Sequence, residues 1–139
     1  MKTVNLNDLE LNEFVGKNNK DQHCQATFPL LGAHGTKKSA TVYIELAPGD
    51  RLGRHTDSAE ELLLILDGDV EISVGDESGT AGTGTIAHVP EMVPHDIRNT
   101  GDTRARILGF FGGANNIIAT FEEAWLQTES NSVDTAGMA

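Results

Sequence analysis

The sequence predicts a small all-β domain, a barrel or a sandwich of short strands. Glycine accounts for 15 of the 139 residues, above the ~7% of an average protein. The glycines recur every few residues, as they do where short strands are joined by tight turns. Apolar or alternating segments at regular spacing indicate about eight to ten strands, and no segment has the period of a long helix. With 38% hydrophobic residues, the chain fits one domain with one core.

The chain divides into three predicted parts. Residues 1–24 are polar and rich in Asn and Asp, and we expect them to form an N-terminal arm that packs on the barrel or on a partner subunit. Residues 25–127 contain the strand-like segments and are predicted to form the barrel domain. Residues 128–139 are small and polar, which predicts a disordered tail.

The strands are predicted from alternation and from the turn residues between them. Residues 39–47 alternate apolar and polar side chains before a Pro-Gly-Asp turn, so one face of this strand turns to the core. Residues 61–66 begin with Glu61 and continue as an apolar run, consistent with a strand buried on both faces. Further strands are predicted at 25–31, 70–74, 85–89, 95–99, 103–111 and 117–121.

Three segments between these strands carry other signals. Residues 50–60 are predicted to be a loop or an extended segment, and residues 122–127 a short helical turn around Trp125. Residues 75–84 are rich in turn residues and include the sequence GTAGTG. Because no helix follows to supply amide donors, we interpret these glycines as turn residues and not as a phosphate loop.

The charge distribution excludes several classes of partner. The net charge is −11, and no Lys or Arg occurs from His55 through Ile97. Phosphate groups require a basic surface, so the chain is predicted to bind neither nucleic acid nor an anionic membrane. An acidic span of this kind suits either a bound cation or a solvated surface.

The remaining composition predicts a cytoplasmic protein. The single cysteine, Cys24, excludes an internal disulfide framework. No segment approaches the ~20 apolar residues of a membrane span, and the first residues lack the apolar core of a signal peptide.

Two stretches contain candidate metal ligands. His55 and Asp57 are two residues apart and Glu61 has the same parity, so an extended segment projects all three to one side. His95 has to come from a neighbouring strand. Two imidazoles with one or two carboxylates suit Fe, Mn, Ni, Cu or Zn better than Ca or Mg. The spacing alone also fits polar side chains on a loop, and it does not decide between the two.

Both stretches resemble the motifs of the cupin family. The family's first motif is G-x5-H-x-H-x3-E-x6-G, and its second is G-x5-P-x-G-x2-H-x3-N. The positions matched here are Gly49, His55, Glu61 and Gly68, then Gly84, Pro90, His95 and Asn99. The resemblance covers residues 39–111. It implies a jelly-roll barrel, also called a double-stranded β-helix, with a divalent transition metal inside its mouth, and often a homodimer.

Two positions depart from the family motifs. Asp57 replaces the second histidine, which changes the charge of a metal centre with four ligands from about +1 to about zero. Such a centre is expected to attract anionic substrates less. Asp57 either binds the metal with His55, Glu61 and His95, or hydrogen-bonds His55 and orients it. Met92 replaces the glycine of the second motif and either changes the loop shape or caps the pocket.

The resemblance implies an enzyme that acts on a small organic molecule, with dioxygenase-type oxidation as the leading prediction. Glu61 is the candidate catalytic base. Tyr43, His88 and Met92 are weaker candidates for the substrate pocket. Two alternatives stay open: a non-catalytic cupin that binds or senses a small molecule, and an isomerase or lyase that uses a redox-inert metal.

Overall fold

The computed structural model describes residues 1–137 and forms two six-stranded antiparallel sheets. Three short 3-10 helices accompany the strands, at Leu6–Asp8, Gly32–His34 and Thr135–Gly137. The strands are β1 (Asn12–Val15), β2 (His23–Thr27), β3 (Ser39–Leu46), β4 (His55–Asp57), β5 (Glu61–Asp67), β6 (Asp69–Val74), β7 (Glu77–Gly82), β8 (Ile86–Val89), β9 (His95–Asn99), β10 (Ala105–Gly112), β11 (Ile118–Trp125) and β12 (Ser130–Asp134).

Strands distant in sequence are neighbours in both sheets. The first sheet has the order β1-β2-β3-β10-β5-β8, and the second has the order β12-β11-β4-β9-β6-β7. The chain therefore crosses repeatedly from one sheet to the other, as in a jelly roll. The predicted all-β class and the jelly-roll barrel are confirmed.

The core lies between the two sheets because alternate residues of each strand point inward. In β10, Ala105, Ile107 and Phe111 are buried, whereas Phe110 is exposed on the outer face. The motif residue Asn99 is also buried, and its side chain closes a turn by donating to the carbonyls of Leu46 and Thr103. Asn99 therefore has a structural role in this fold.

Local sequence signals were misleading at two segments. Residues 77–82 form β7, which pairs with β6 across a tight turn in which Gly75 has φ 58°. The predicted helical turn at 122–127 is wrong, because β11 continues to Trp125. Pairing with β12 and burial of the Trp125 indole hold this segment extended, so tertiary contacts override the local preference.

The prediction of a disordered tail is wrong for residues 128–137. Strand β12 pairs with β11, and Val133 packs against the core. The hydroxyl of the buried Thr135 accepts a hydrogen bond from the Ile117 amide and donates to Asn116. Long-range pairing of this kind leaves no local signal. The tail prediction for Met138 and Ala139 lies outside the described residues.

The first 24 residues extend the edge of the first sheet. Strand β1 pairs with β2, and β2 begins at His23 and pairs with β3. The predicted division into an arm and a barrel stays a prediction. Within residues 1–137, no helix has the length and apolar character needed to cross a membrane.

Candidate metal centre

The four predicted ligands meet between the two sheets. His55 and His95 are register partners on β4 and β9, and Asp57 follows on the same face of β4. Glu61 is the first residue of β5 and enters from the opposite sheet. Each of the four residues is at most 5% exposed. Polar side chains so deeply buried need partners, because desolvation of an unpaired charge is costly.

The donor atoms of His55, Asp57 and His95 form one group, and the carboxylate of Glu61 lies beside His95. Nε2 of His95 lies 3.0 Å from Oδ2 of Asp57 and 3.4 Å from Oε1 of Glu61. Nε2 of His55 lies 3.5 Å from the same oxygen of Asp57. One ligand atom from each of His55, Asp57 and His95 lies within 4.8 Å of the others. Ligands bound to one ion at about 2.0–2.2 Å are roughly 3 Å apart, so the spacing fits a single transition metal.

Backbone carbonyls fix the tautomer of both histidines. Nδ1 of His55 is 2.7 Å from the carbonyl oxygen of Gly53, and Nδ1 of His95 is 2.9 Å from that of Val93. A carbonyl only accepts, so each Nδ1 carries the hydrogen and each neutral ring presents the lone pair of Nε2 to the centre. Nε2 of His95 and Oδ2 of Asp57 are buried and have no well-aligned hydrogen bond among the described residues. A metal ion would satisfy both atoms.

The electrostatics of the centre favour a cation. Burial acts to raise the pKa of Asp57, but His55 and His95 outweigh it and hold that pKa below its usual range. Burial raises the pKa of Glu61 to about 7, against the opposing effect of His95. Burial acts to lower the pKa of His95, but the carboxylates of Asp57 and Glu61 raise it to about 10. In the metal-free protein, the positive charge is a proton on His95. A metal displaces this proton when it binds.

The position of Asp57 supports its role as a ligand. An orienting carboxylate has to accept from the Nδ1 hydrogen of His55, but the Gly53 carbonyl already takes that hydrogen. The Asp57 carboxylate instead faces Nε2 of His55 and Nε2 of His95. These are the two nitrogens available to a metal.

Gly109 is a site residue that the sequence analysis missed. It lies on β10 between Val42 of β3 and Leu63 of β5. A Cβ atom at this position would lie 2.3 Å from Oε2 of Glu61 and 2.7 Å from Cγ1 of Val42. Gly109 therefore leaves the space that the Glu61 carboxylate occupies. The available signal was a glycine inside an apolar strand, which often marks a close approach.

Asp96 was also missed, and it positions His55 through the backbone. Its Oδ1 accepts hydrogen bonds of 2.8 Å from the amides of Gly53 and Ile97. Gly53 has φ 101°, and the side chain of Gln22 fills the space that a Cβ at this position would take. These contacts hold the peptide whose carbonyl receives the His55 hydrogen.

Replacing Asp96 with alanine is expected to weaken metal binding by about tenfold or more, the usual effect of losing a group that orients a ligand. Asp96→Asn keeps an oxygen acceptor at Oδ1 and is expected to retain most of the affinity. Competition between each protein and a chelating indicator for Co²⁺ measures the change. Equal affinities for Asp96→Ala and wild type would show that the Gly53 carbonyl does not need this support.

The ligands line one part of a cavity of about 240 Å³, which we call its metal end. Most of its lining is apolar, and it draws on both sheets and on both ends of the chain. The apolar side chains are those of Phe14, Cys24, Ala26, Phe28, Val42, Ile44, Leu52, Leu63, Ile97, Phe111, Ile117, Ala119, Phe121, Trp125 and Val133.

The three weaker pocket candidates are not part of this lining. Tyr43 is buried on the other side of its sheet, where its hydroxyl donates to Glu45 and Arg106 lies over its ring. His88 is exposed and pairs with Glu60. Met92 has φ 62° and is 58% exposed. Its loop therefore keeps the left-handed backbone that a glycine favours, with the Met side chain in solvent.

Comparison with known proteins identifies the family. A family model of the cupin domain matches residues 42–111, half of the 139 residues. The chain belongs to the cupin family. Both cupin motifs lie within the matched region, and the predicted resemblance is confirmed. A search of curated proteins gives no significant sequence match to this cupin.

Solved structures share the cupin fold at low sequence identity. A predicted oxalate decarboxylase from Thermotoga maritima has a TM-score of 0.68 at 20% identity, over 81% of this chain and 99% of that chain. The polyketide cyclase RemF from Streptomyces resistomycificus has a TM-score of 0.65 at 18% identity, over 81% and 79% of the two chains. A sugar phosphate isomerase from Silicibacter pomeroyi has a TM-score of 0.64 at 16% identity, over 89% and 91%. At these identities the likeness shows the fold alone.

Proposed function

We propose that this cupin is a metal-dependent enzyme that acts on a small organic molecule, with dioxygenase-type oxidation as its reaction. The observation that carries the proposal is the close approach of Oδ2 of Asp57 and Nε2 of His95, two buried atoms without a well-aligned hydrogen bond among the described residues, in an apolar cavity. His55, Asp57, Glu61 and His95 would hold one Fe, Mn, Ni, Cu or Zn ion. This mixed N/O donor set suits those metals.

The bound metal supplies Lewis acidity and, where it is redox-active, electron transfer to dioxygen. The other contributions come from the protein's own side chains. The backbone-anchored rings of His55 and His95 stay fixed, because each Nδ1 is held by a carbonyl. Glu61 is the residue able to accept a substrate proton, since its carboxylate reaches the centre from the opposite sheet. The apolar lining excludes water and strengthens these interactions.

A redox-inert isomerase or lyase is the second candidate. It is favoured by the names of structurally similar proteins, which include a polyketide cyclase and a sugar phosphate isomerase. The same four residues would serve this chemistry. A cupin that only binds or senses a ligand is less well supported, because His55, Asp57 and His95 form a group that could hold a metal.

Metal analysis combined with oxygen uptake tests the proposal. The protein is purified without a histidine tag, analysed for metals, and assayed with a panel of small phenols and enols in an oxygen electrode. The proposal expects about one metal ion per chain and substrate-dependent oxygen uptake that a chelator abolishes. Turnover that proceeds equally well without oxygen under Zn²⁺ would replace it with the isomerase or lyase. Absence of metal after reconstitution would overturn both.

We also propose that the protein forms a homodimer through the outer face of its first sheet. Leu62 and Phe110 are register partners on β5 and β10 and are 43% and 44% exposed. Ile86 on the neighbouring strand β8 is 64% exposed. Three large apolar side chains side by side on one face are typical of a protein interface.

Phe110→Glu is expected to weaken the dimer by about a hundredfold or more, because it places a charge among the apolar side chains of the interface. Light scattering after gel filtration over a range of concentrations measures the effect. Ile118→Glu is the control, since Ile118 is similarly exposed at 46% but lies on the second sheet. A wild-type protein that stays monomeric at every concentration would remove the proposed interface.

A further inference from the structure

Outside the metal centre, the cavity offers no cation to an anionic ligand. None of the described residues that line it is Lys or Arg. Its carboxylates are those of Asp57 and Glu61 at the metal end and Asp134 at the exposed rim. Cys24 lies in the wall, and burial raises the pKa of its thiol to about 12, with the charge of Asp50 adding to the shift. The thiol is therefore neutral. Outside the centre, an anion that enters this cavity meets apolar or uncharged side chains and the carboxylate of Asp134.

The metal would not compensate for this. Two carboxylates and two neutral imidazoles around a divalent ion give a local charge of about zero. A substrate carboxylate or phosphate would lose its hydration without gaining a net positive partner, and burial of an unpaired charge is strongly unfavourable. An uncharged oxygen, such as a hydroxyl or a carbonyl, carries a much smaller desolvation cost.

Aromatic side chains form one continuous side of the cavity. The ring of Phe121 stacks on the ligand ring of His55, with centroids 4.5 Å apart and an interplanar angle of 20°. Trp125 meets Phe121 edge to face at 5.1 Å, and Phe14 meets Trp125 in the same way at 5.8 Å. This row leads from the metal end along the lining, and its ring faces and edges suit a planar apolar ligand.

The size of the cavity limits the ligand. At about 240 Å³ it is smaller than the ~300–1,000 Å³ of sites for drug-sized molecules. One ring with a short substituent fits, and a larger molecule would have to extend past the rim formed by Thr128, Ser132 and Asp134.

We infer that the substrate is an uncharged, mainly apolar molecule with a ring, which presents a neutral hydroxyl or carbonyl oxygen to the metal end, and that the site rejects carboxylates and phosphates. The inference rests on the proposed function only for the oxygen at the metal. The preference for an uncharged apolar ligand follows from the lining itself.

The test uses two probes of nearly the same shape and different charge. Ortho-hydroxyacetophenone is neutral at pH 7, and salicylate carries a carboxylate in place of its acetyl group. Their affinities for Zn²⁺-loaded and for metal-free protein are measured by ligand-observed NMR. The neutral probe is expected to bind the loaded protein at least about tenfold more tightly than salicylate, although salicylate is also a good metal chelator in water.

Asp134→Lys provides a variant at the rim that leaves the buried ligands intact. It is expected to reduce the preference for the neutral probe severalfold by adding a cation beside the cavity. Glu122→Lys makes the same change in net charge at an exposed residue of β11 that does not line the cavity, and it is expected to leave the preference unchanged. Equal effects of the two variants would contradict a local contribution from the rim.

The outcomes separate this inference from the proposed function. A loaded protein that binds salicylate as tightly as the neutral probe, or binds neither, overturns the inferred substrate class and leaves the metal centre in place. A protein that binds no metal but still prefers the neutral probe overturns the proposed function and supports the inferred class.

Discussion

His95→Ala is expected to lose bound metal almost completely. Nε2 of His95 is the donor closest to both carboxylates, at 3.0 Å from Asp57 and 3.4 Å from Glu61. Its removal leaves two buried carboxylates beside a single imidazole, and no further histidine lines the cavity among the described residues. Wild-type protein should hold about one metal ion per chain, and the variant should hold none that survives dialysis.

Thermal unfolding gives a second measurement of the same loss. A metal that binds only the folded state adds about 2.7 kcal/mol of stability at a free concentration of 100 times Kd. Addition of Zn²⁺ should therefore raise the Tm of wild type and leave that of His95→Ala unchanged. His95→Gln retains a polar side chain of similar reach. If His95→Ala does not fold, the same measurement on His95→Gln tests the metal site.

The control for His95 is another histidine of the same chain. His88 is exposed and pairs with Glu60 at the surface, where such pairs contribute about 0–1 kcal/mol. His88→Ala should keep its metal and its Tm response to Zn²⁺. Retention of metal at the wild-type level in His95→Ala would show that the ion, if present, is bound elsewhere.

Sequence patterns predicted the parts of the fold that depend on local alternation. The strands at 39–47 and 103–111 alternate clearly, and the structure has β3 and β10 at nearly the same bounds. Strand β7 was not predicted, because its residues are small and exposed and its partner β6 supplies the pairing. Strand β12 was not predicted either, since its only large apolar residue is Val133 and its pairing with β11 is what holds it extended.

The candidate site was likewise predicted only where it depends on local sequence patterns. Four ligand side chains were predicted, and the structure groups the donor atoms of His55, Asp57 and His95 and places the Glu61 carboxylate beside His95. The cavity depends on contacts between distant parts of the chain, such as Phe14 from β1 and Val133 from β12. Parity along β3 could not show that Tyr43 lies outside the cavity, because residues on both faces of that strand are buried. Packing against other elements decides such positions.

Gly109→Ala is expected to damage the metal centre from the strand that faces it. The new Cβ would overlap Oε2 of Glu61 at 2.3 Å and Cγ1 of Val42 at 2.7 Å. Strand β10 is paired on both sides, with β3 and with β5, so its backbone has little freedom to retreat. The Glu61 carboxylate has to rotate away from His95. We expect a loss of about ten- to a hundredfold in metal affinity and a folding cost of about 1–3 kcal/mol from overpacking.

The same strand supplies the matched control, and a second substitution tests the cause. A Cβ at Gly112 meets no atom within 4 Å, so Gly112→Ala should change stability by less than about 0.5 kcal/mol and leave metal affinity unchanged.

Glu61→Asp withdraws the carboxylate from the space above Gly109. Gly109→Ala and Glu61→Asp together should therefore cost less affinity than the sum of their separate effects. Strict additivity, measured with a chelating indicator, would mean that Gly109 does not act through Glu61. Equal affinities for Gly109→Ala and Gly112→Ala would contradict the expected effect of Gly109 on the metal centre.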